Sequence, residues 1–324
     1  MSVRETGEFG LIGRITARLG VDRSVLVGPG DDAAVVAAPD SRVVATTDVL
    51  VAGRHFRLDW ASAVDIGHRA AAANLADIAA MGATPTALLV ALCTPPELEA
   101  AWVDGLADGL NAEAARVGAR VVGGDISASP TLTVAVCALG DLGGARPVTR
   151  SGARPGEVVA MAGRIGYAAA GLAVLSRGFR SPRLLVDAYR RPQIPYAAGP
   201  AAAALGASSM IDVSDGLIAD LGHVATASGV AVDLYRDAFP IPDAMRNAAD
   251  ALGVDPYDWI LAGGDDHPLV ATFPEDTPLP EEWLIIGETY AGSGVTVDGR
   301  VHRGPAGWDH FAPDAREPWR GVGR

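Results

Sequence analysis

Strand-length apolar runs alternate with alanine-rich helical stretches along the whole chain, and that alternation predicts an α/β (or α+β) protein. A length of 324 residues predicts two domains, because a single core stops growing near roughly 250–300 residues. A third observation places the junction. The segment GDLGGARPVTRSGARPGE, from Gly140 to Glu157, is dense in Gly, Pro and Arg and interrupts the apolar periodicity, so the expected domains are residues 1–145 and 146–324.

In the N-terminal half, Phe9, Ile12, Ile15 and Leu19 recur at helical spacing and predict a helix over about 8–19. Short β-like runs follow as VLV, AAVVAA and RVVATTD, then a long helical stretch from Ser62 to Met81. The strand TALLVALC, a helix over about 97–117 and the strands ARVV and TLTVAVCALG complete this half. The second half restarts with the strand EVVAMAG and passes through the Gly-rich GRIGYAAAGL into a helix. It then gives SSMIDVSDG, a helix over about 216–228, the strand VAVDLY and a C-terminal α/β stretch.

With 49% hydrophobic and 20% charged residues, the composition is that of an ordinary globular protein. No apolar run approaches the roughly 18 residues that cross a bilayer. The start, MSVRETGEFG, lacks the basic segment and apolar core of a signal peptide, so a cytoplasmic protein is expected. Cys93 and Cys137 sit inside apolar runs without metal or redox spacing, and the expectation is two buried strand residues. Formal charge is −13, and every one of the 26 basic residues is Arg. The absence of Lys excludes a P-loop lysine, a Schiff-base lysine and the strand lysine of protein kinases. The acidic balance also argues against nucleic-acid and anionic-membrane partners.

Carboxylates stand at the ends of the apolar runs. They occur in GPGDDAAVV (Asp31, Asp32), VVATTD (Asp48), NLADIAAMGA (Asp77), VVGGD (Asp125), MIDVSDG (Asp212, Asp215) and LAGGDD (Asp265, Asp266). One Asp after a strand is ordinarily a helix cap or a turn former. Many together repel unless cations compensate them, and strand ends are where α/β proteins bind ligands. Oxygen donors without His or Cys companions point to Mg²⁺ or Ca²⁺. The period of a strand sets Thr46 and Asp48 on one face, and helical spacing does the same for Asn74 and Asp77. Asp77 is a charge inside an otherwise apolar helix. Gly28, Gly30, Gly123, Gly124, Gly263 and Gly264 flank these acids, as where backbone approaches phosphate, although none matches a P-loop or dinucleotide fingerprint.

In this order, GDDAAV, TTDVLVAGRHF, NLADIAAMGA, GGDIS, TRSGARPGE, IDVSDGL and LAGGDDHPL resemble the motifs of thiamine-monophosphate kinases, in the aminoimidazole ribonucleotide synthetase superfamily. The likeness runs from GEFG to WDHF, nearly the whole chain. It implies a two-domain fold in which the N-terminal domain forms a dimeric β-barrel and the C-terminal domain is α/β. It implies a homodimer that uses ATP and several Mg²⁺ ions to phosphorylate thiamine phosphate to thiamine diphosphate, the last step of that cofactor's biosynthesis. Matching residue by residue, the resemblance implies metal ligands at Asp32, Thr46, Thr47, Asp48, Asp77, Asp125, Asp212 and Asp215. ATP contacts fall on Gly124, Asp125, Arg150 and Ser214, and acceptor contacts on His55, Asp265 and Trp308.

The chain departs from the family pattern where GGEDYEL becomes GGDDHPL, so that Asp265 is shorter than the usual Glu and His267 and Pro268 replace Tyr and Glu. Ile126 removes a hydroxyl that the family carries after GGD. No covalent nucleophile or general base is expected, since the attacking phosphate oxygen is already ionised. Two other readings stay open on the sequence: an aminoimidazole ribonucleotide synthetase-like enzyme, and a catalytically silent nucleotide-binding protein.

Overall fold

The computed structural model describes residues 2–6, 8–19, 25–27 and 34–308, and the chain divides into two compact units. One takes the described residues as far as Ile78 together with Ala83–Gly144, and the other takes Ala79–Gly82 and the residues from Ala145 onward.

The first unit opens with short helices α1 (Val3–Thr6) and α2 (Glu8–Thr16) and a two-stranded antiparallel sheet of β1 (Val25–Val27) and β2 (Val35–Val36). Its main sheet is built from β3 (Val44–Val51), β4 (Thr84–Thr94), β5 (Arg120–Ala128) and β6 (Thr133–Asp141) in the order β3-β6-β4-β5. β6 runs antiparallel to both neighbours, whereas β4 and β5 are parallel and are joined by helix α4 (Ala100–Ala115). A parallel pair needs such a crossover.

Helix α3 spans Ala63–Ala80, one residue inside each bound expected from sequence. A reciprocal cap starts it. Ser62 Oγ accepts from Asp65 N, and Asp65 Oδ2 accepts from Ser62 N at 2.9 Å. Its alanines let it pack closely, and Gly67 lets α4 come nearer still, since a Cβ there would lie 2.2 Å from the Leu106 carbonyl oxygen. Along β6, Val134, Val136 and Ala138 are buried while Ala135, Cys137 and Leu139 alternate as half-exposed residues. One sheet face is therefore covered and the other is largely open.

That alternation corrects one expectation. Cys93 and Cys137 are strand residues, but both are only half-buried, because they point to the open face. An apolar run reports strand, and does not tell which face a helix will cover. Among the described residues this unit holds an open four-stranded sheet and a two-stranded one, with no closed barrel within the single chain.

The second unit carries β7 (Glu157–Ala162), helices α5 (Tyr167–Ser176), α6 (Arg183–Arg190) and α7 (Ala198–Leu205), and β8 (Ser209–Asp212). Helix α8 (Leu217–Ser228), β9 (Val230–Leu234), α9 (Asp243–Leu252) and α10 (Pro256–Ala262) follow. It ends with β10 (Leu269–Pro274), β11 (Trp283–Ala291), β12 (Gly294–Val297) and β13 (Arg300–Val301). The seven strands form one mixed sheet, β13-β12-β9-β11-β7-β10-β8, antiparallel except for the β12–β9 pair. Edge strand β8 lies antiparallel to β10 with Asp212 opposite Leu269. The register therefore sets the end of β8 beside the loop that enters β10, so IDVSDG and GGDDHP become neighbours.

Candidate active site

In the first unit the strand period acts as expected. Thr46 Oγ1 donates to Asp77 Oδ2 at 2.7 Å, joining β3 to α3 on the covered face, and Asp48 shares that face by alternation. Asp77 is the one half-buried residue within the buried run from Ala70 to Ala80. Asp48 is exposed, its Oδ1 accepting from Val49 N at 2.7 Å.

The same register separates other members of the expected set. Thr47 sits opposite Cys137 and Asp125 opposite Ala91, so both belong to the open face, with Thr47 Oγ1 donating to the Val136 carbonyl at 3.0 Å. Thr47, Gly124 and Asp125 line an apolar groove of about 770 Å³ whose walls include Ile12, Leu89 and Leu110. Gly124 is required where it stands, because a Cβ would fall 1.9 Å from the Val90 carbonyl oxygen.

His55 closes the turn after β3. Its Nδ1 accepts from Val51 N at 2.9 Å, which puts the ring proton on Nε2. Asp32 was expected among the ligands and, with Asp31, Gly28 and Gly30, lies outside the described residues.

The second unit brings three loops together. Asp265 N donates to the Ser214 carbonyl at 2.9 Å, His267 N to the Val213 carbonyl at 3.1 Å, and Trp308 N to the Asp215 carbonyl at 2.9 Å. Thus Asp212, Ser214, Asp215, Asp265 and Trp308, distant in sequence, are held by backbone bonds within one loop cluster. Asp265 and His267 both have left-handed backbone, with φ of 70° and 51°. Such strain in residues other than glycine gathers at functional sites. Arg150 is exposed at the head of a 3₁₀ turn, where Ser228 Oγ donates to its carbonyl at 2.7 Å.

Two buried acids organise this cluster, and neither carried a role in the sequence reading. Asp220 Oδ2 accepts from the N–H groups of Ser214, Asp215 and Gly216 at 3.1, 3.0 and 3.1 Å. Burial pushes its carboxyl up to about 6, against those N–H groups and with the charges of Asp212 and Asp215 adding to the rise. Its position in the first turn of α8, where N–H groups lack helical partners, was the available signal. Asp266 accepts from Ala168 N with both oxygens, at 3.0 and 3.1 Å, and so caps α5. Burial pushes it up to about 7, while that N–H and the Arg164 charge oppose the rise. A third buried contact joins His267 Nδ1 to Asp212 Oδ2 at 2.9 Å.

The donor chemistry fits magnesium. The candidate ligands are hard oxygens, and among the described residues they stand as pairs and singles, with no gathering of three or more His, Cys, Asp or Glu able to hold an ion. Mg²⁺ is ordinarily held by one or two carboxylates together with water and substrate phosphates.

Comparison with known proteins identifies the family and the fold. Residues 30–142 match the model of the AIR synthase related protein N-terminal domain, and residues 154–298 match that of its C-terminal domain. The thiamine-monophosphate kinase of Mycobacterium tuberculosis is 48% identical over 316 residues, 97% of this chain and 94% of that protein. The crystal structure of thiamine-monophosphate kinase from Stenotrophomonas maltophilia K279a superposes with a TM-score of 0.81 at 34% identity, covering 91% of this chain and 98% of that one. The structure "AaThiL complexed with AMPPCP and TMP" superposes with a TM-score of 0.79 at 31% identity, covering 96% of this chain and 99% of that one.

Proposed function

The chain belongs to the thiamine-monophosphate kinase family within the AIR synthase related proteins, and on that premise we propose that it transfers the γ-phosphoryl group of ATP to thiamine phosphate, giving thiamine diphosphate and ADP. The observation that carries this reading is the loop cluster of the second unit, in which Ser214, Asp215, Asp265 and Trp308 are joined by backbone hydrogen bonds. A relative solved with an ATP analogue and TMP supports the same substrates.

ATP carries about four negative charges and the acceptor phosphate about two, so carboxylates alone would repel both. Bound Mg²⁺ supplies the missing positive charge and steadies the oxygens of an in-line transfer. Several ions would be held: in the first unit one by Thr46, Asp48 and Asp77 and a separate one by Thr47 and Asp125 on the other face of the sheet, and in the second unit others by Asp212 and Asp215. Gly124, Asp125, Arg150 and Ser214 serve ATP, Arg150 through the bidentate geometry that guanidinium offers phosphate. His55 serves the acceptor phosphate, while Asp265 and Trp308 serve the thiamine portion. The attacking phosphate oxygen is already ionised, so no side chain has to remove a proton, and transfer is direct.

The half-exposed face of the four-stranded sheet carries Val49, Leu89, Ala91, Ala135, Cys137 and Leu139. Such a face is unusual on a monomer, and a second copy packed on it would complete the family's dimeric barrel. Among the described residues no helix is long and apolar enough to cross a membrane, and a cytoplasmic site of action is part of this proposal. The test is incubation with ATP, Mg²⁺ and thiamine phosphate followed by mass analysis. Thiamine diphosphate is the expected product, and release of free phosphate alone would contradict the assignment.

A further inference from the structure

His267 and Asp212 lie 55 positions apart and are both 5% exposed, yet His267 Nδ1 stands 2.9 Å from Asp212 Oδ2. The backbone holds the ring in place. His267 N donates to the Val213 carbonyl at 3.1 Å, and Val213 N donates to the Pro268 carbonyl at 3.0 Å, so the two residues following each partner are themselves bonded as a short ladder. His267 accepts a left-handed φ of 51° to sit there, a conformation unfavourable for a residue with a Cβ. Asp212 ends edge strand β8, and its buried carboxylate calls for a hydrogen-bond donor. An imidazole protonated on Nδ1 is that donor. It engages Oδ2 alone, and among the described residues Oδ1 receives no hydrogen bond.

We propose that His267 is a positioning residue for the phosphoryl transfer: its Nδ1–H holds the Asp212 carboxylate turned so that Oδ1 is presented to a divalent cation. This inference rests on the reading of Asp212 as a cation ligand. A hydrogen-bonded partner behind a ligand fixes its orientation and raises its basicity, and loss of such a partner costs about 10–100-fold in metal affinity. On this proposal the imidazole acts through the carboxylate. Two isosteres separate positioning from mere space filling. Asn places an amide N–H near the position of Nδ1, whereas Gln places one near Nε2, beyond the reach of Oδ2.

The experiment compares wild type, His267→Asn, His267→Gln and Asp212→Asn. Mn²⁺ binding in the presence of AMPPCP is followed by electron paramagnetic resonance, folding is checked by circular dichroism, and the His267 tautomer is read by ¹⁵N NMR. The expected result is an Nδ1-protonated His267, near-wild-type Mn²⁺ affinity in His267→Asn, and a loss of about 10–100-fold in both His267→Gln and Asp212→Asn. In kinetics, His267→Gln should lower kcat at fixed Mg²⁺ while the KM for thiamine phosphate stays within about threefold. Weakened binding in Asp212→Asn with unchanged binding in His267→Gln would overturn the positioning role and leave Asp212 a ligand. Unchanged binding in Asp212→Asn would overturn the ligand reading and this inference with it. Equal losses in the two His267 variants, or failure of both to fold, would show a structural histidine and overturn the inference.

Discussion

Thr46 Oγ1 donates to Asp77 Oδ2 at 2.7 Å, so a strand hydroxyl and a helix carboxylate that are 31 positions apart form one polar pair on the covered face of the first unit's sheet. The contact explains how a half-buried charge is accommodated in the alanine-rich helix α3. It also leaves Asp77 a carboxylate that has been pre-oriented by a neutral donor.

Asp77→Asn is therefore expected to keep the fold and lose the chemistry. The amide can still accept from Thr46, but a neutral ligand stabilises transition-state charge poorly, and kcat should fall by at least about 100-fold. Turnover near the wild-type rate with ordinary Mg²⁺ dependence would remove Asp77 from the ligand set.

Direct transfer leaves no covalent phosphoenzyme. After incubation with γ-labelled ATP in the absence of acceptor, the denatured protein should carry no label. Label that survives denaturation would refute the single displacement.

Trp308 is tied to the cluster through its backbone, since its N–H donates to the Asp215 carbonyl at 2.9 Å. Removing its side chain leaves that bond in place. A Trp face attracts a cationic ring by about 0.5–2 kcal/mol, so Trp308→Ala should raise the KM for thiamine phosphate roughly 3–30-fold and leave that for ATP nearly unchanged. Equal movement of both constants, or a fall in thermal stability alone, would mean that the ring only pins the chain.

Asp266 should make stability depend on pH in a definite direction. Burial raises its carboxyl from the ordinary 3.8 to about 7, so between those values the folded state holds a proton that the unfolded state has lost. Its stabilising contribution is full below the unfolded value and is lost as pH rises through the folded one. Thermal melts should therefore show a smaller decline from pH 5 to 8 for Asp266→Asn than for wild type. Parallel curves for the two proteins would contradict the buried, protonated carboxyl.

Much of this was legible in the sequence where a periodicity reports directly on geometry. Helix α3 was bounded to within one residue at each end, because its apolar period and the Ser62 cap act locally. Thr46 and Asp48 were assigned one strand face by the same kind of argument. The opposed placement of Asp125 needed the β4–β5 register, in which an extra residue on β5 falls between Leu88 and Leu89 of its partner, and no local pattern announces such a bulge. The half-exposure of Cys93 and Cys137 depends on which face the helices cover, a tertiary fact. Asp220 and His267 act on partners brought close by backbone folding, and in the bare sequence each resembles an ordinary polar residue beside a turn.

The central claim is tested most directly by counting products against acceptor. With ATP and Mg²⁺ present, ADP and thiamine diphosphate should appear one for one when thiamine phosphate is supplied, and ADP should stay at background when thiamine replaces it. ADP formation that is indifferent to thiamine phosphate, or thiamine phosphate recovered unchanged while ATP is consumed, would contradict the assignment.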